Sequence, residues 1–255
     1  MREYKIPNSW LLDRVNIALI GCGGTGSEMF DELYRIHTLL TALGGEGIKV
    51  TAYDPSLVTA ANIGRQRFWG ADVGYPKSEV LVNRVNNFGG VNWRFSTESI
   101  TCADSLRHYD LIITCVDTPG IRAVIGEHAC RARTEDRGLY KEQLWLDCGN
   151  DNHSGNVILG HIKPTKEGLT LPNVYDLYPV LNEMDNTDIA SCSTQEALLK
   201  QDYGINRSIA REAANILWQL FRHGSINHHG SYINIKAGTV SPLKIDPTVW
   251  ALFAA

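Results

Sequence analysis

The chain has 255 residues, 24 Lys and Arg against 28 Asp and Glu, and a net charge of −4. It carries no basic run, so nucleic acid is not expected as its main partner. No apolar stretch approaches the roughly 20 residues that span a bilayer, and the opening MREYKIPNSW lacks an apolar h-region, so neither a membrane span nor a signal peptide is expected. Six scattered cysteines, none in a C-x-x-C pair, read as reduced thiols of a cytoplasmic protein and predict no zinc site.

Residues 1–14 read as a short polar lead-in. The apolar run Ile17-Ala18-Leu19-Ile20 predicts a first strand over about 15–20. It breaks into Gly21-Cys22-Gly23-Gly24-Thr25-Gly26 and then a helical pattern. Strand, glycine turn and helix N-terminus make a phosphate cradle, in which backbone N–H groups and the helix dipole face an anion. This motif alone suits NAD, FAD or ATP. Met29, Leu33, Ile36, Leu40 and Leu43 then trace a buried helical stripe up to Gly44.

A second strand is expected over Ile48–Tyr53, ending at Asp54-Pro55. Asp54 suits a ribose hydroxyl or a simple strand-terminating turn. A helix over about 77–88 turns Val80, Leu81, Val85 and Phe88 inward, and a third strand lies near Trp93-Arg94-Phe95. Leu111–Val116 is apolar throughout, as a buried parallel strand is. It ends at Asp117, placed either to hold Mg²⁺ or to cap the next helix, with Arg122 one turn further on to orient it. Fifth and sixth strands follow at 144–148 and 155–163. Alternating strands and helices predict an α/β fold: a doubly wound, Rossmann-like, mostly parallel sheet with helices on both faces.

From 164 to 193 periodicity lapses into a long loop, expected to be functional. It carries Cys192, near a predicted helix start, where a thiol gains thiolate character. The other five cysteines read as small core residues. A helix over about 206–222 buries Ile209, Ala213, Ile216, Leu217, Leu220 and Phe221. A C-terminal β-hairpin turns at Ala237-Gly238, within an extension over about 225–255. His223, His228 and His229 read as surface residues. All of 1–255 reads as a single domain.

Arg65 and Lys77, close after the cradle, suit a triphosphate or are simply solvated surface charges, the commonest fate of Arg and Lys. A departing pyrophosphate needs cations in the transition state, whereas a dinucleotide does not. Taken together, Gly21–Ser27, Asp54, Asn62-Ile63-Gly64-Arg65-Gln66, Lys77, Cys115-Val116-Asp117 and Arg122 resemble the ThiF family of ubiquitin-activating-enzyme-like adenylyltransferases. The likeness covers about residues 15–220. The segments around Asn62, Cys192, Gln201–Arg207 and Phe221–Gly224 are most similar to the ThiF proteins of the PRTRC gene system.

The resemblance implies ATP and Mg²⁺ as cofactors. Gly21, Gly23, Gly24 and Gly26 would cradle the phosphates, and Asp54 would hold the ribose. Asn62, Arg65 and Lys77 would grip the β- and γ-phosphates, and Asp117 would hold Mg²⁺. It implies a small ubiquitin-like protein with a free C-terminus as partner, adenylated on its carboxylate. Cys192, the loop cysteine, would take the acyl group or serve sulfur transfer. A homodimer is also implied. The long N-terminal helix that gives an arginine to the partner's site is nearly absent, leaving Arg2 or Arg14 as substitutes. The usual Asp-Asn after the strand is here Asp117-Thr118. The alternatives are an ATP-binding but catalytically silent docking module and a NAD or FAD oxidoreductase.

Overall fold

The computed structural model describes residues 2–117, 119–134, 141–164, 168–178 and 201–253. An eight-stranded sheet forms its frame. Its parallel half comprises β2 (Val15–Ile20), β3 (Ile48–Tyr53), β4 (Arg94–Ser96), β5 (Leu111–Thr114) and β6 (Gln143–Asn150). These lie in the order β6-β5-β2-β3-β4, paired parallel throughout. The sixth predicted strand, β7 (Ser154–Lys163), turns straight back on β6 and is antiparallel to it. A three-residue turn between them leaves no length for the helix a parallel crossover needs. The predicted C-terminal hairpin, β9 (His228–Asn234) and β10 (Thr239–Lys244), extends this antiparallel edge through β9 on β7.

Strand side chains alternate between two cores. One face presents Ile17, Leu19, Val50, Leu111, Ile113, Leu144 and Leu146 to α1 (Asn8–Leu12), α2 (Gly24–Ala42), α3 (Lys77–Gly89) and a long late helix. The other presents Ala18, Ile20, Ile112, Trp145 and Ile158 to α4 (Pro119–Thr134) and to short α5 (Val174–Leu177). The late helix is α6 (Ile205–His223), and the inward residues expected of it are all buried. It packs along α2, with Arg207 on Glu28 and Arg211 on Glu32 bridging their exposed edges. A last short helix, α7 (Pro247–Trp250), follows β10.

The lead-in is more than polar. Its β1 (Tyr4–Lys5) pairs with β8 (Ser225–Ile226), and Tyr4, Ile6 and Trp10 enter the first core. Phe88 and Leu43, expected inward, are exposed: Phe88 lies in the last turn of α3, and Leu43 is the residue that caps α2. Phe30, one residue off the predicted stripe, is fully buried. Within the predicted long loop, residues 168–178 are described, and Leu171, Val174 and Leu177 are buried around α5. On the second face, beside β3 and β4, a cleft of about 500 Å³ opens, lined by Lys49, Thr51, Tyr53 and Arg94 among others.

Candidate nucleotide site

The glycine turn lies where β2 hands over to α2, at the carboxyl end of the parallel strands. That is where an open α/β sheet takes its ligands. Gly21 has φ +90°, and a methyl there would meet the Cys115 carbonyl oxygen at 2.4 Å. A methyl on Gly26 would lie 1.8 Å from the Gly21 carbonyl oxygen. These two glycines let β2, β5 and α2 touch backbone to backbone. At Gly24 the neighbour is the Asn206 side chain, 2.5 Å from the would-be Cβ. Gly23, which caps α2, has open space before it.

Asp54 is buried and holds the turn in shape. Its Oδ2 accepts the Cys22 N–H at 2.7 Å and its Oδ1 accepts the Ser56 N–H at 2.8 Å. The sequence offers Asp54 for a ribose or for a turn; the turn role is present, and each oxygen keeps a second lone pair. Cys22 points into the core. Burial pushes its thiol up, the Asp54 carboxylate adds to that, and the Lys77 ammonium opposes it. Lys77, Asp54 and the turn are therefore electrostatic neighbours. Lys77 opens α3, its N–H bonded to the Ser56 carbonyl.

Asn62 ends a single 3₁₀ turn, Ala60–Asn62, and its Oδ1 accepts the Thr59 N–H at 2.9 Å. Half-buried Arg65 bonds the Ala61 carbonyl through Nε. The same loop lies on the first turn of α2, where the Arg67 N–H reaches Ser27 Oγ, and Arg67 pairs with Asp31. Asp117 is exposed, two residues beyond the Cys115 carbonyl that presses on Gly21.

Arg122 does not orient Asp117. Its Nε donates to Asp147 Oδ1 at 2.8 Å and Nη2 to the Cys148 carbonyl. Thr114 and Trp145 extend this buried network. Burial works against the Arg122 charge, but the attraction of Asp147 outweighs it and holds the proton more firmly than usual. Asp147, on β6, carries no motif of its own, so only the register of β5 against β6 finds it for Arg122. Arg14 pairs with Glu46 at the opposite end of β2 from the turn.

Cys192 lies outside the described residues. Cys102 and Cys130, expected in the core, are exposed, whereas Cys22, Cys115 and Cys148 are buried. His229 is not a surface residue: it is fully buried, bonded to the Leu159 carbonyl and to Trp250.

Among the described residues no three His, Cys, Asp or Glu side chains gather around a metal position. Mg²⁺ asks for less, since it commonly takes one carboxylate plus substrate phosphates. Asp117, an exposed carboxylate at the strand end, fits that demand. The cradle fits a nucleotide phosphate chain, because Gly23 has open space before it and no side chain caps the N-terminus of α2 that begins there.

Residues 9–217 match the ThiF family. The chain belongs to this family. Among curated proteins it is similar to the ATP-dependent ubiquitin transferase-like protein Cap2 of Enterobacter hormaechei subsp. hoffmannii (strain UCI 50), 29% identical over 111 residues, 41% of this chain and 17% of that protein. Among solved structures, E. coli MccB with ATP matches with a TM-score of 0.60 at 16% identity, covering 93% of this chain and 65% of MccB. A crystal structure of PaaA matches with a TM-score of 0.60 at 15% identity, covering 92% of this chain and 74% of PaaA. The chain thus spans under a fifth of Cap2 and under two thirds of MccB. The ThiF match and these neighbours bear out the α/β, mostly parallel fold.

Proposed function

We propose that this ThiF-family chain is an ATP-dependent adenylyltransferase acting on the C-terminal carboxylate of a small ubiquitin-like protein. The observation that carries this is the cradle itself. Gly21 and Gly26 are closed to any side chain, Asp54 pins the turn, and Lys77 opens α3 near enough for its charge to be felt at Cys22. A carboxylate oxygen attacks the α-phosphorus, an O–P bond forms, and the bond to the β-phosphate oxygen breaks with release of pyrophosphate. Arg65 and Lys77 neutralise the charge gathering on that leaving group, Asn62 shapes the loop that presents Arg65, and Asp54 holds the turn and the ribose. Asp117 would hold Mg²⁺, which supplies further charge neutralisation when bound.

MccB has been crystallised with ATP and with N-formylated MccA, which supports a nucleotide and a second substrate meeting on this fold. The name of Cap2 supports a ubiquitin-like acceptor. Transfer of the acyl group to Cys192, a place in the PRTRC system, a homodimer and a cytoplasmic setting belong to the same proposal.

The test is exchange of labelled pyrophosphate into ATP by the full chain, with and without a ubiquitin-like protein. We expect exchange that requires the acceptor's free carboxylate, falls at least about a hundredfold in Lys77→Ala and Asp117→Ala, and persists in Cys192→Ala. Nucleotide binding with no exchange in the wild type, for any such acceptor, would leave a docking module. A dinucleotide seated across the sheet would leave an oxidoreductase.

A further inference from the structure

Beside the cradle lies a group of uncharged amides that nothing in the adenylation chemistry uses. Asn150 ends β6, Asn152 lies in the turn to β7, Asn156 faces back from β7, and Asn206 opens α6. Thr25, in the first turn of α2, ties them to the glycine turn: its hydroxyl lies 2.9 Å from Asn206 Oδ1 and 3.3 Å from Asn150 Oδ1. Asn206 is also the side chain against Gly24. The Asn156 amide lies over Gly149, where a Cβ would meet its oxygen at 2.6 Å.

Two atoms of this group are buried without a hydrogen-bond partner among the described residues: the donor Asn150 Nδ2 and the acceptor Asn152 Oδ1. Buried polar atoms in folded proteins are paired, so an orphan donor at the end of β6 and an orphan acceptor two residues further along the chain mark a place for a ligand that offers both. A peptide main chain does, with its alternating C=O and N–H. A phosphate does not, since it offers acceptors alone at neutral pH.

The charge balance points the same way. Arg122, whose Nη2 lies 3.8 Å from where a Cβ on Gly149 would sit, is committed to Asp147 and the Cys148 carbonyl, and Arg207, next to Asn206, to Glu28. An attacking carboxylate engaged by a cation would have its lone pairs held back. Neutral amides orient the tail by its main chain and leave the carboxylate oxygens to the phosphorus.

We infer that Asn150, Asn152 and Asn206 seat the last peptide units of the acceptor's C-terminal tail and aim its carboxylate at the α-phosphate. They are positioning residues, and the inference rests on the adenylation proposed above. The test uses the full chain saturated with α,β-methylene-ATP and a random eight-residue peptide library, in one set ending in a free carboxylate and in another as the amide. We expect the wild type to retain carboxylate peptides over amides. Asn150→Ala and Asn206→Ala should each weaken the retained peptides about tenfold, the scale of one lost buried hydrogen bond. They should leave affinity for the nucleotide within about twofold, and in pyrophosphate exchange with a retained peptide raise the peptide's KM and, because the carboxylate is no longer aimed, also lower kcat. Asn152→Ala, which removes the unpartnered acceptor and no side-chain hydrogen bond among the described residues, serves as a second variant if Asn206→Ala melts early, and should also weaken the peptides.

Peptides held equally by wild type and variants would overturn the inference, as would a wild type that binds the analogue but retains no peptide. Retention that depends on these amides with no exchange of pyrophosphate would instead overturn the adenylation reading and keep the tail site.

Discussion

At Gly26 a single methyl decides whether the turn closes. The would-be Cβ sits 1.8 Å from the Gly21 carbonyl oxygen, deep inside van der Waals contact and against rigid backbone. Gly26→Ala is expected to cost roughly 1–3 kcal/mol of stability as overpacking and to abolish detectable ATP binding by calorimetry. Gly23→Ala separates the two effects. With open space before it and φ −77°, its stability should stay within about 0.5 kcal/mol of wild type, while ATP affinity falls because the methyl enters the phosphate space. The importance of these glycines was legible in the sequence, since a strand running into four glycines and a helix has few other uses. Which of them packs and which faces the ligand was not, because that depends on where Cys115 and Asn206 arrive from distant segments.

At the scale of elements, the N-terminal piece and the C-terminal edge each carry an anchor that periodicity did not reveal. On α1, Trp10 is 5% exposed and lies 5.9 Å from the Phe221 ring. Trp10→Ala should lower unfolding stability in urea by roughly 3–5 kcal/mol, far more than loss of a surface lead-in. The other anchor is His229 on β9. A carbonyl only accepts and an indole N–H only donates, so His229 Nδ1 donates to Leu159 and Nε2 accepts from Trp250 of α7. The ring is therefore neutral, and burial pushes its pKa down from 6.5 to about 4. The unfolded chain then binds one more proton than the native chain between those values. The stabilising contribution is complete above pH 6.5 and is lost as pH falls toward 4, by up to roughly 3 kcal/mol. His37, His128 and His228 are displaced the same way, so the wild-type profile is a sum. Subtracting the profile of His229→Gln, by urea unfolding at each pH, should isolate this part; a difference that does not vary with pH would refute it.

For the whole molecule, one sheet serves two jobs. Its parallel half brings β2, β3 and β5 together so that turn, Asp54 and Asp117 share one end, while β6 and the antiparallel β7 beside it carry the amides to the same end. Because α2 and α6 both begin there and pack along each other, a nucleotide seated on α2 should stabilise both halves. ATP at about 100 times its Kd should raise unfolding stability by about 2.7 kcal/mol, in a single transition seen alike by Trp fluorescence and circular dichroism. In Gly26→Ala the same ATP should raise it by nothing.

The amino-acid sequence by itself determined the strand–turn–helix cradle, the order and positions of the five parallel strands, the buried face of α6 and the hairpin at Ala237-Gly238. Each of these is written in neighbouring residues, as apolar period, glycine placement or a chain break. Only the tertiary structure decided that β7 runs antiparallel, that Arg122 serves Asp147 rather than Asp117, that Trp10 and His229 are buried, and that Asn150 and Asn206 meet at Thr25. These depend on contacts between residues up to 211 positions apart, as from Trp10 to Phe221, and no local pattern encodes a partner that far along the chain.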